Sequence, residues 1–115
     1  IEMHMVLTSQ MNNWFSRPHG GAIYTLADAA FSLLANTSQT IAVALDCSIT
    51  YHHSPNPGDR LVVKGERLAQ SIKTSSYLFK IFSQKKTDFV LIATMKSVAY
   101  QTEKPLNVAI HVSSD

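Results

Sequence analysis

The sequence predicts an α+β domain: one buried helix followed by an antiparallel sheet of long strands. Three observations carry this. A single stretch, Ala22 to Asn36, is rich in Ala and Leu, contains neither Gly nor Pro, and is apolar nearly all the way round, which marks a buried helix. From Ile41 onward the hydrophobic period becomes two. The period-two runs are joined by connections too short for parallel crossovers, so neighbouring strands run antiparallel.

Each element has its own signal. Met3 to Ser9 alternates loosely and reads as a first strand, and Gln10 to Pro18 is a polar stretch that runs into His19-Gly20-Gly21. The helix follows, and Asn36-Thr37-Ser38 reads as its stop. In the next strand Ile41, Val43, Leu45, Cys47, Ile49 and Tyr51 fall on one face, with Ala42, Ala44, Asp46, Ser48 and Thr50 on the other. Ser54-Pro55-Asn56-Pro57-Gly58-Asp59 is a dense turn signal. Leu61 to Ala69, Thr74 to Ser83 and Phe89 to Tyr100 read as three further strands, the last two joined by a hairpin through Gln84 to Asp88. Residues 102–115 show no clear period and read as a loosely held tail to a single domain covering 1–115.

Bulk properties exclude several classes. With 45% hydrophobic and 16% charged residues the chain is an ordinary globular one, with no internal repeat. A formal net charge of +2, with Lys and Arg scattered, lacks the footprint of a nucleic-acid binder. Cys47 is the single cysteine, so no internal disulfide is available, and a reducing, cytoplasmic setting is expected. The opening Ile-Glu-Met-His-Met has no secretory pattern, and a trimmed natural N-terminus is expected. Ala22 to Ala35, the longest apolar stretch, is too short to span a bilayer. One helix covers one face of a sheet, so a helix apolar all round asks for a second copy of the chain to complete its cover.

Two features could carry chemistry. Asp28 sits among Leu26, Ala27, Ala29, Ala30 and Phe31, and an unpaired buried charge costs several kcal/mol, so it should have a partner or a function. Thr25, Asp28 and Ser32 form one narrow polar stripe at helical spacing. That stripe either faces solvent or a nearby loop, or presents Asp28 to a substrate. Just before the helix, His19-Gly20-Gly21 is either a tight turn or a place where the backbone approaches a ligand. The first N–H groups of a helix lack partners within it and sit at the positive end of its dipole, a ready site for an oxyanion. Other signals are weak: His52 and His53 are adjacent on a strand end, no Cys/His cluster has zinc-ligand spacing, and no nucleophile elbow or phosphate loop is present. Cys47, Met3, Met5 and Met95 read as core side chains.

Asn13, then His19-Gly20-Gly21-Ala22-Ile23-Tyr24-Thr25-Leu26-Ala27-Asp28-Ala29-Ala30-Phe31, resembles the signature of the PaaI-like (phenylacetate-degradation type) hotdog thioesterases. Ser54 to Asp59 resembles the same family's Pro-x-x-Gly-Asp turn, and the element order matches across the chain. The resemblance implies a hotdog fold, one long central helix wrapped by a five- to six-stranded antiparallel sheet, assembled as a homodimer or a homotetramer. It implies an acyl-CoA substrate at a subunit interface and no separate cofactor, coenzyme A being part of the substrate. Carried over, Gly20 offers a backbone N–H to the thioester carbonyl, with Gly21 beside it. Asp28 of the other subunit acts as general base or nucleophile, Asn13 orients the carbonyl or the water, and His19 holds the loop. Thr25 lies along the same helix stripe. Ala44 stands where some relatives carry a water-holding Ser or Thr, a departure from the pattern. Arg60, Lys64 or Lys73 would meet the phosphates of coenzyme A.

The chemistry fits those residues. A thioester is a reactive acyl donor that needs an oxyanion site and one base rather than a full triad, and an apolar setting raises a carboxylate's pKa and makes it a better base near neutrality. Two other readings keep the fold. A hotdog hydratase or dehydratase acts on similar thioesters but uses a His paired with an acidic residue in a different motif. A non-catalytic acyl-CoA-binding module usually brings a DNA-binding segment, which this chain lacks.

Overall fold

In a computed structural model, which describes residues 1–7, 20–37 and 40–105, the elements follow one another as β1 (Glu2–Val6), α1 (Gly20–Ala35), β2 (Thr40–Tyr51), β3 (Arg60–Gln70), β4 (Thr74–Lys85) and β5 (Asp88–Pro105). The strands form one sheet in the order β1-β3-β4-β5-β2, every neighbouring pair antiparallel. The curled sheet holds α1 against one of its faces, the hotdog arrangement expected from the sequence.

The core lies between α1 and that face. Ile23, Leu26, Ala27, Ala30, Phe31 and Ala35 point into it from the helix, and Leu61, Val63, Tyr77, Phe79, Ile81 and Met95 from the sheet. Ala27 and Ala30 are fully buried, and such small side chains let the helix backbone approach the strands closely. Phe31 then reaches β4, its ring centroid 5.6 Å from that of Tyr77 and 6.0 Å from that of Phe79. The expectation of a helix buried all round is corrected here: Gly21, Thr25, Asp28, Ser32 and Leu33 are exposed, because the sheet covers only one side.

The helix stop falls where the sequence places it. Asn36 Nδ2 donates to the Ser32 carbonyl at 2.7 Å, and Asn36 Oδ1 accepts the Ala42 N–H at 2.8 Å, so one side chain ends α1 and starts β2. The proline-rich turn is equally specific. Asp59 accepts hydrogen bonds from the Asn56 N–H (2.9 Å) and the Ser83 hydroxyl (2.8 Å), while the Leu7 N–H donates to the Asp59 carbonyl at 2.9 Å. Asp59 thereby joins the turn to both β1 and β4.

Two patterns differ from the sequence reading. In β2 the register slips between Ala44 and Asp46, leaving Leu45 as an extra, bulged residue. Residues directly opposite on antiparallel strands point the same way. Ala44 faces buried Ala99, whereas beyond the bulge Cys47 faces buried Ser97 and Ile49 faces buried Met95. The helix-facing set is therefore Ala42, Ala44, Cys47, Ile49 and Tyr51, and Val43 no longer shares a face with Cys47. Strict alternation cannot show this, since one inserted residue inverts every later side chain. The second difference is the tail. Residues 101–105 continue β5, with Gln101 Nε2 donating to the Thr40 carbonyl and Thr102 Oγ1 to the Ile41 carbonyl, both at 2.6 Å. These polar side chains leave no hydrophobic period but tie the strand to β2.

Gly65 on β3 lies opposite Phe79 on β4, and a Cβ added there would fall 2.4 Å from both Cδ1 and Cε1 of that fully buried ring. Gly65→Ala is expected to destabilise the fold by roughly 1–3 kcal/mol through overpacking. The measurement is the urea midpoint, which should fall without a change in slope. An unchanged midpoint would mean that the ring swings aside freely.

Candidate active site

The first turn of α1 begins at Gly20. Its carbonyls are held from outside the helix ladder: the Tyr51 hydroxyl donates to the Gly20 carbonyl at 2.9 Å, and the Thr25 hydroxyl donates to the Gly21 carbonyl at 2.7 Å. Thr25, on the same stripe as Asp28, ties the backbone of the helix start. A cleft of about 320 Å³ opens at this end of the helix, lined by Gly20, Ile23, Tyr51, His52, His53, Ser54 and Pro55. A volume near 300 Å³ is the lower end of what small-molecule sites use.

Two turns further along, Asp28 is exposed in the single chain, on the side of α1 that carries Thr25 and Ser32. Tyr24, one turn before it, hydrogen-bonds with Cys47 on β2. The Cys47 thiol beside it holds the Tyr24 hydroxyl above the usual tyrosine pKa, through repulsion from a thiolate and through that hydrogen bond. Burial and the negative charges available to Asp28 and Tyr51 act in the same direction. Tyr24 therefore stays a neutral hydroxyl wherever ordinary tyrosines do. Cys47 does pack against the core cluster, as its neighbours in sequence suggest, but its thiol also belongs to this polar group.

The other sequence candidates are spread out. Ala44 is exposed on the helix-facing side of β2, immediately before the bulge, and offers no hydroxyl. Arg60 opens β3, while Lys73 lies in the turn after it, beyond a strand of 11 residues that extends roughly 30 Å. Lys64 is on the face away from the helix, its ammonium 5.8 Å from the Phe82 ring centroid, 5.7 Å from that of Phe89 and 3.9 Å from Glu2 Oε1. One chain does not bring these three cations together on one ligand. Asn13 and His19 lie outside the described residues. Among the described residues no three His, Cys, Asp or Glu side chains form a metal-ligating group, and no helix is long and apolar enough to cross a membrane.

Tyr24 and Tyr51 are the residues that sequence reasoning missed. Both look like ordinary apolar-tolerant positions, Tyr24 on a helix of core residues and Tyr51 at the end of an alternating strand. Alternation puts Cys47 and Tyr51 on the apolar face of β2 but gives no sign that Tyr51 ties the Gly20 carbonyl or that Tyr24 meets Cys47, both at the start of α1.

Comparison with known proteins points in one direction. Residues 16–89 match the sequence profile described as Thioesterase superfamily. The acyl-coenzyme A thioesterase PaaI of Escherichia coli is 32% identical over 87 residues, 76% of this chain and 62% of that protein. A protein of Archaeoglobus fulgidus is 32% identical over 103 residues, 90% of this chain and 65% of its own length. The chain thus spans somewhat under two thirds of both curated relatives. Among solved structures, that of Escherichia coli PaaI superposes with a TM-score of 0.82 at 27% identity, over 90% of this chain and 73% of that one. A Streptococcus mutans protein bound to acetyl CoA gives a TM-score of 0.82 at 25% identity, over 91% and 82%.

Proposed function

Because the chain belongs to the thioesterase superfamily, we propose that it hydrolyses acyl-CoA thioesters to the free acid and coenzyme A at a site shared between two copies of the chain. The observation that carries the shared site is the position of Asp28 relative to Gly20. Eight residues of one helix separate them, roughly 12 Å along the axis. A general base must come within about 3 Å of the group it serves, directly or through one water. The Asp28 and Gly20 of one chain are too far apart to meet on one thioester carbonyl. Two chains, each giving its helix start to the other's Asp28, form two complete sites.

The exposed surfaces support that assembly. Leu33 on α1 and Leu45 on β2 are 57% and 58% exposed, and β2 is an edge of the sheet. A long edge with apolar side chains invites pairing with a second copy. Burial of Asp28 then comes from the partner, which reconciles its exposure in one chain with the apolar setting the mechanism wants. In this reading the helix-start N–H groups of one subunit polarise the thioester carbonyl. Asp28 of the other activates water or attacks directly, and coenzyme A leaves as the thiol. Asn13 and His19, which precede α1 in sequence, complete the site in this reading. Arg60, Lys64 and Lys73 act separately, if two chains bring any of them to the phosphates. The substrate places the enzyme in the cytoplasm, where Cys47 stays a free thiol; cell fractionation checks this.

The test is hydrolysis of a panel of acyl-CoAs, aryl-acetyl and short to medium chains, with a thiol-trapping dye. Turnover of at least one, by a species that sediments as a dimer or tetramer, is the expected result. Tight binding without turnover would favour a binding module, and a monomer that turns over substrate would overturn the shared site.

A further inference from the structure

Sequence patterning makes Tyr51 one more apolar-tolerant residue at the end of β2, yet it is the described side chain most closely fitted to Gly20. Its hydroxyl donates to the Gly20 carbonyl at 2.9 Å, across 31 residues of sequence. Its ring lies over the same residue: a Cβ at position 20 would meet Tyr51 Cζ at 3.2 Å and Oη at 3.3 Å. Tyr51 stands opposite fully buried Ala93 on β5, which puts its side chain on the helix-facing side of the sheet, half exposed at the rim. Tyr51 and Gly20 together form part of the wall of the cleft at the helix start.

A glycine has the least restricted backbone of any residue, so a glycine at an oxyanion site gains most from an outside tie. The hydroxyl tie on the Gly20 carbonyl and the ring packed over the same residue together restrict the φ and ψ of Gly20, and with them the direction of its own N–H. Donors act on a developing oxyanion through being set in advance, before the reaction calls on them. We propose that Tyr51 is a positioning residue of the oxyanion site, its hydroxyl and ring fixing Gly20 so that the Gly20 N–H faces the acyl carbonyl. This rests on the hydrolytic reading above, and it assigns Tyr51 no contact with the reacting atoms.

Tyr51→Phe keeps the ring and removes the tie. Loss of a donor from an oxyanion site lowers kcat by roughly 10²–10³-fold, and loss of a group that only orients one is expected to lower it about 10-fold. KM should stay within about twofold, because the tie acts on the transition state more than on ground-state binding. A second readout is independent of turnover: amide hydrogen exchange at Tyr24, whose N–H meets the same Gly20 carbonyl one turn on, should quicken, while exchange in β5 stays as it was. A variant with wild-type kcat, or one whose KM rises while kcat holds, would overturn the positioning role. A wild-type chain that hydrolyses no acyl-CoA sinks the hydrolytic reading instead. The exchange rates then still decide whether Tyr51 fixes Gly20, and unchanged rates would end the proposal.

Discussion

Asp28→Asn is expected to lower acyl-CoA hydrolysis by roughly 10²–10⁴-fold while leaving the fold and the oligomer intact. The substitution keeps the size and planarity of the side chain and removes only its ability to accept a proton or to attack. Asp28 makes no core contact within its own chain, and where the partner covers it the uncharged amide of the same size is no harder to bury than the carboxylate. Melting temperature and sedimentation should therefore match the wild type, and the loss should appear in kcat. A mixture of Asp28→Asn chains with chains altered at the helix start adds a sharper test. If each site takes its base from one subunit and its oxyanion donors from the other, mixed dimers regain one complete site, and activity returns in part on mixing. Wild-type turnover by Asp28→Asn would remove the carboxylate from the mechanism. Absence of recovery on mixing would place both halves of the site on one chain.

The parts of this design that could be read from sequence are those written in local chemistry. The α1 stretch, its Asn36 stop and the Ser54 to Asp59 turn each depend on a few adjacent residues, and the strands carry their period over many positions. The catalytic candidates were legible for the same reason: Asp28 is a charge within an apolar run, and Gly20-Gly21 a pair of glycines at a helix start. What was hidden depends on pairing between distant segments. The bulge at Leu45 has no signature of its own among alternating small and apolar residues, yet it decides which side of β2 meets the helix. Tyr51 and Cys47 keep the side that alternation gives them, and their polar roles come from contacts with α1 that no local pattern shows. Gly65 looks like a simple weakness in a strand until the ring of Phe79 is placed on it. Strand 101–105 was illegible because Gln101 and Thr102 hold it with side-chain hydrogen bonds, which leave no hydrophobic trace.

Phe31→Ala is expected to have the largest effect on stability, a loss of about 3–5 kcal/mol from an empty space where a large ring was packed. Phe31 is buried, and its ring fills the gap between α1 and β4, tilted by 58° against Tyr77 and by 67° against Phe79. Such aromatic pairs add about 0.5–1.5 kcal/mol beyond the area they bury. The neighbours on the helix side, Ala27 and Ala30, are too short to fill the space, so the cavity cannot collapse cheaply. Domains of this size are stable by only about 5–15 kcal/mol, so the loss takes a large share of the total. The signature differs from that of Asp28→Asn: the melting temperature falls, and activity at low temperature survives in the folded fraction with its KM unchanged. Phe31→Leu, which refills most of the volume, should recover much of the lost stability. If Phe31→Ala melted with the wild type, the ring would not be what joins the helix to the sheet, and the position of Asp28 on that helix would need another anchor.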